Sequence, residues 1–283
     1  MGGTIKTGKS WRVLMILLFI IFMLFFLYPF WIGIAGSFKT TFQVMNSKVY
    51  AFSLPLQFDS YIRAFSILKN PLLISLKLGV YVTAWTIILG ILGGYSLSIS
   101  KFKGQRILLM LCLFGIYIPP VTKMLPALKL SQWMGLYNTI FGLGLITGSM
   151  LMTTSTIIYR EFFTKIPKAM IEAAKIEGAN HIDILFRLIV PMSVSPTISV
   201  FVMAFATGWN NYMMALVLTQ GNISSRPIAL SVATLKDLAL YEGNYSVMLA
   251  GGLLAVLPPV LLYIFCQRYV RVGSVRDNDT ADK

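Results

Sequence analysis

Apolar positions along this chain do not alternate with polar ones; they run together in blocks. Six stretches contain no Asp, Glu, Lys, Arg or His: Val13–Ile34, Leu78–Ser100, Ile107–Thr122, Leu130–Tyr159, Leu188–Ser225 and Gly243–Gln267. A helix crossing a bilayer needs roughly 20 apolar residues. Backbone groups in lipid must bond within their own segment, so blocks of this length read as helices and not as barrel strands. The third block is short and extends past Lys123 towards Leu128, while the fifth is too long for one span and must include a loop. The pattern predicts an all-α, polytopic membrane protein, a single domain over 1–283. Its six spans are expected near 13–34, 73–100, 107–128, 132–160, 189–218 and 244–267. Composition agrees: 12% of residues are charged, against about a quarter in water-soluble domains.

Lys6, Lys9 and Arg12 precede the first block and give it the look of a secretory signal. Its apolar run of 22 residues exceeds the roughly 7 to 15 of a cleaved signal, so an uncleaved first helix is expected. Tyr28-Pro29-Phe30-Trp31 near its end suits an interfacial belt. With the N-terminus in the cytoplasm, 15 of the 24 basic residues fall on inner segments, which predicts a multi-pass protein of the cell membrane with both termini inside. The net charge of +14 is therefore read as topology, since the cations sit at span ends and form no single patch for a nucleic acid.

Catalytic chemistry has little to work with. Cys112 and Cys266 lie inside apolar blocks and read as packing residues, and the single histidine, His181, cannot build a metal site alone. No Ser-His-Asp, HExxH or paired-carboxylate arrangement is present, so neither an enzyme nor a bound metal is expected. Gly3-Thr4-Ile5-Lys6-Thr7-Gly8-Lys9-Ser10 fits the phosphate-loop pattern G-x-x-x-x-G-K-[ST] letter for letter. That loop works between a buried strand and a helix N-terminus; no strand precedes it here and a lipid-facing helix follows. It reads as a basic tail with Ser10 available as an N-cap.

The most charged segment runs from Arg160 to Arg187 and reads as two short helices. Pro167 suits a helix start and Gly178 a left-handed stop. Ala169, Ala173 and Ile176 share one face, Lys168, Glu172 and Lys175 another, and Asn180 is placed to cap a second helix.

Glu172-Ala173-Ala174, then Gly178, then a nine-residue gap and Leu188-Ile189-Val190-Pro191 resembles the EAA loop of ABC importer permeases. Ile166-Pro167-Lys168, Gly208-Trp209-Asn210-Asn211-Tyr212 and Leu257-Pro258-Pro259 look like the sugar-type, maltose-like branch. The resemblance implies the type I importer permease fold, with 165–187 as the coupling segment that docks on an ATPase. Glu172, Ala173, Ala174, Gly178 and Pro191 are then its ATPase-coupling residues. It also implies the partners: a second permease subunit, two ATPase subunits that bind the ATP and magnesium, and an extracytoplasmic solute-binding protein. This chain would hold no cofactor. The tail departs from the family, because Gly273-Ser274-Val275-Arg276 leads to Asp277, Asp279 and Asp282 instead of a basic run.

Trp209, Asn210, Asn211 and Tyr212 suit a carbohydrate path, since aromatic faces stack on sugar rings and amides pair with hydroxyls; interfacial anchoring is the equal alternative. Ser149, Thr153 and Thr156 share a face in the fourth span and point to a path or to helix packing, and Gly90, Gly93 and Gly94 to close helix approach. Pro119, Pro120, Pro258 and Pro259 are expected to break their helices. In the loop from Gln220 to Glu242, Asn222, Ser224 and Arg226 are candidates for meeting the binding protein. Two other solute classes, glycerophosphodiesters and polyols, stay open. A stand-alone secondary transporter is disfavoured because no span holds a carboxylate to bind a driving ion.

Overall fold

The computed structural model describes residues 9–48, 50–100, 102–220, 222 and 225–279. The phosphate-loop pattern up to Gly8 and Ser224 lie outside the described residues. Every regular element among those described is helical. Three helices hold an apolar run long enough to cross a membrane: α1 (Lys9–Ser37), α3 (Asp59–Ser98) and α14 (Tyr245–Asp279). Between α1 and α3 lies the short α2 (Thr41–Asn46).

Three further apolar blocks are bent pairs. In the first, α4 (Gln105–Tyr117) meets a single 3-10 turn, Pro120–Lys123, that leads into α5 (Met124–Trp133), at 106°. In the second, α6 (Ile140–Met150) meets α7 (Met152–Phe163) at 50°. In the third, α9 (His181–Asp183), a π-helical stretch and α10 (Val190–Met192) run on to meet α11 (Val194–Trp209) at 77°. Counting each pair as one span gives six.

The chain divides into two compact units, 1–67 with 232–254 and 68–231 with 255–283. In the first, Ala64, Val247 and Ala250 pack with Tyr61 and Leu254, and Ser37 Oγ lies 2.7 Å from Tyr61 Oη. Thr40 and Gln43 form a reciprocal capping box at α2. Lys39 is 1% exposed, with Nζ donating to Lys48 O at 2.7 Å and Ser47 Oγ at 3.0 Å, and burial pushes its ammonium below the usual lysine value.

In the second unit one core gathers Leu78, Val82, Leu143, Ile146, Ala204 and Met214, and another Tyr95, Tyr159, Phe163, Ile184, Ile189 and Val200. The glycines of α3 meet α7 as their spacing predicts. A Cβ added at Gly90 would sit 2.7 Å from Ser155 Cβ, one at Gly94 2.6 Å from Tyr159 Cβ, and one at Gly93 would overlap Thr156 Oγ1.

The prolines divide. Pro119 and Pro120 interrupt the helix, with α4 ending at Tyr117 and the chain turning sharply. Pro258 and Pro259 do not, because α14 continues through both, contrary to the break expected there. Pro259 has no amide hydrogen to give the carbonyl four residues back, that of Ala255. The indole of Trp209 donates to that carbonyl at 3.0 Å, so the freed acceptor is satisfied and the helix persists.

Candidate functional site

The charged segment after α7 forms a short exposed helix, α8 (Lys168–Ile176). Pro167 stands one residue before it as N-cap, with φ −58° and ψ 129°. The far end is a glycine stop: Gly178 has φ +87°, its N–H donates to Lys175 O, and Ala179 N–H donates to Ala174 O, both at 3.0 Å. These are the two bonds of a Schellman cap, which needs the left-handed conformation that glycine adopts without strain.

Asn180 then caps the next turn, its Oδ1 accepting from Ile182 N–H at 2.8 Å and Asp183 N–H at 3.0 Å. A π-helical stretch, Ile184–Ile189, follows and carries the segment to Pro191, which is exposed. At the bend Ser193 Oγ donates to Ile189 O, replacing the α-type backbone bond that Ser193 N–H makes instead to Val190 O.

One face of α8 is used inside the chain and the other is not. Ile171 and Ala174 pack against the cluster of Tyr95, Tyr159, Phe163 and Ile184. Glu172, Ala173 and Ala169 are exposed, as is Ile176 at 87%. The expected small-residue face therefore points away from the protein's own core, and the anchoring alanine is Ala174. Tyr95, near the end of α3, holds the segment from below: its Oη lies 2.9 Å from His181 Nδ1, and the two rings meet edge to face. Nothing in the sequence singles out Tyr95, because its partner lies 86 positions away.

The second candidate region is a cavity of about 320 Å³ lined by Lys123, Thr147, Thr207, Asn210, Asn211 and Tyr212, with Met124, Met150, Met213 and Met214 among its apolar wall. Asn210, Asn211 and Tyr212 form the non-helical link between α11 and a six-residue helix, α12 (Met213–Leu218). Irregular backbone at membrane depth is tolerated where it lines a cavity. Asn211 is buried and its Nδ2 donates to Thr147 Oγ1 at 2.8 Å.

Trp209 does not join them. It is 3% exposed, stacked on Phe205 with ring centroids 5.8 Å apart, and its N–H is spent on Ala255. Ser149 and Thr153 line a different cavity, of about 360 Å³, that shares Lys123 and Met150 with the first. Thr156, on the same face, is fully buried. Lys123, Thr147 and Thr207 were not among the site residues expected from sequence; only Lys123, a cation inside the third expected span, offered a signal.

The candidates for a binding-protein contact are less exposed than a surface connector would have them. Asn222 and Arg226 are half-buried, and Arg226 Nε has no hydrogen-bond partner among the described residues. The stretch is tied down where Ile228 N–H donates to the buried Ser75 Oγ at 2.7 Å, at the start of α13 (Ile228–Glu242).

Residues 86–271 match the family described as binding-protein-dependent transport system inner membrane components. A probable ABC transporter permease of Pyrococcus horikoshii is 32% identical over 248 residues, covering 87% of this chain and 89% of that protein. The arabinooligosaccharides transport system permease of Bacillus subtilis is 26% identical, covering 88% of this chain and 90% of its own. The crystal structure of a bacterial ABC transporter involved in import of the acidic polysaccharide alginate contains a chain that superposes with a TM-score of 0.81 at 22% identity. That likeness covers 94% of this chain and 99% of the other.

Proposed function

The chain belongs to the family of binding-protein-dependent transport system inner membrane components, and from that premise we propose that it lets carbohydrate through the membrane in step with ATP hydrolysis by a partner. A permease component of this kind is not itself catalytic. The ATP and magnesium would be bound by two ATPase subunits, and the solute would be delivered by an extracytoplasmic binding protein to a path shared with a second permease subunit. Carbohydrate is favoured by the amides, hydroxyls and tyrosine that converge on one cavity and by the sugar named for the Bacillus subtilis relative.

The observation that carries the coupling role is α8 itself. It is a short helix, anchored on one side by Ile171 and Ala174 and stopped by Gly178, with Glu172, Ala173 and Ile176 exposed on the other. In this reading that free face seats on the ATPase, and Pro191 ends the segment that transmits its movement into α11. Removing a buried charged contact at an interface costs about 2–5 kcal/mol. A branched residue forced into Gly178's backbone conformation costs about 1–3 kcal/mol.

Glu172→Lys is expected to weaken ATPase association and abolish uptake, and Gly178→Val to do so by moving the helix, while both variants still insert. The check is uptake and co-purification of the ATPase with the reconstituted complex. Normal uptake by both variants would refute the coupling role.

A further inference from the structure

The two cavities of the second unit share one ionisable cation, Lys123, at the end of the 3-10 turn that follows the Pro119-Pro120 break. A charge at membrane depth is costly unless something answers it, and such residues mark pathways for ions or solutes. Among the described residues none lining these cavities answers it. There is no acidic residue between Asp59 and Glu161, nor between Asp183 and Asp237, and these two stretches build every wall of both cavities. Among the described residues, Lys123 Nζ makes one hydrogen bond, to Gly115 O in the last turn of α4, at 3.2 Å. That bond satisfies a helix-end carbonyl but does not require a charge, since a neutral N–H donor would serve, and an ammonium has three donors.

We infer that Lys123 is a fixed positive charge in the solute path, selecting carbohydrates that carry a carboxylate; the inference rests on the permease reading above. Asn210, Asn211, Thr147, Thr207 and Tyr212 supply the neutral hydrogen-bonding groups that sugar hydroxyls require on the same wall. A carboxylate fits better than a phosphate. One ammonium with a donor already committed balances a single negative charge, whereas phosphate sites gather arginine forks, and no arginine lines these cavities.

The test separates the charge from the transport reading. In the whole complex, with Cys112 and Cys266 replaced by alanine, Met213→Cys places a thiol on the wall shared with Lys123. Its rates of modification by a sulfonate-bearing methanethiosulfonate and by the trimethylammonium counterpart are compared. Focused charge changes encounter rates by about 10-fold or more, so Lys123→Gln should lower the anion-to-cation rate ratio by about that factor. Lys123→Arg should keep it. Glutamine retains a donor for Gly115 O, so the turn survives. An unchanged ratio, or a thiol that neither reagent reaches, overturns the inference.

The second arm measures uptake of a pool of short uronate oligosaccharides and of the same pool after carboxyl reduction. The wild-type complex should favour the acidic pool by about tenfold, and Lys123→Gln should lose that preference. Equal handling of the two pools by the wild-type complex overturns the substrate class. Charge-dependent labelling in a complex that imports neither pool overturns the carbohydrate reading and upholds Lys123 as the path's cation.

Discussion

Trp209 shows how much a single side chain's assignment depends on what it meets. Its sequence neighbours Asn210, Asn211 and Tyr212 line a cavity, yet its own ring is stacked on Phe205 and its N–H caps the carbonyl that Pro259 leaves free. The arrangement predicts a particular coupling. Trp209→Phe keeps the stack but strands the Ala255 carbonyl, a loss of about 1–3 kcal/mol for a buried acceptor left unmade. Pro259→Ala restores a backbone N–H four residues on, so Trp209→Phe should cost much less in that background. Thermal unfolding of the purified complex in a double-mutant cycle measures this; an equal cost in both backgrounds would show that the indole bond does not support the helix.

Among the elements, the contact of α3 with α7 is close and unforgiving. At Gly94 an added Cβ would stand 2.6 Å from Tyr159 Cβ and 3.1 Å from the backbone nitrogen of Arg160. Neither atom lies at the end of a flexible side chain, so the helices themselves must separate. Gly94→Ala is expected to destabilise by about 1–3 kcal/mol and to lower the melting temperature accordingly. Gly252, inside α14, has nothing within 4 Å of the equivalent position. There alanine's better helix propensity, worth up to about 1 kcal/mol, should leave stability unchanged or raised. Comparable melting losses for both variants would mean that the glycines matter for backbone freedom alone. The bend between α4 and α5 is set differently, by the two prolines at the break and by Lys123 closing the last turn of α4.

For the whole molecule, the 15-to-9 division of basic residues predicts a definite orientation. Cysteines introduced at Gly8 and Ser274 should resist a membrane-impermeant thiol reagent in intact cells, and one at Asn222 should react; labelling at Gly8 or Ser274 would reverse the topology. The same view of the tail predicts that Lys9→Ala leaves ATP-driven uptake nearly unchanged, because the proposed ATPase is a separate subunit. Much of the molecule was legible in one dimension. Blocks of apolar residues about as long as a bilayer is thick determine that the chain is helical and has segments long enough to cross a membrane. The cap and stop residues Asn180 and Gly178 determine where the charged loop's helices begin and end, because those signals act within a few residues of themselves. Spacing also sufficed for the α3 glycines, which recur on one side of a helix. What only the tertiary structure decided depends on atoms distant in sequence. Examples are which face of α8 is left free, that Tyr95 holds His181, that Trp209 rescues a proline-bearing helix, and that Lys123 stands between two cavities walled by acid-free segments. A hydrogen bond or an unanswered charge is set by what lies within a few ångströms, and periodicity along the chain carries no record of that.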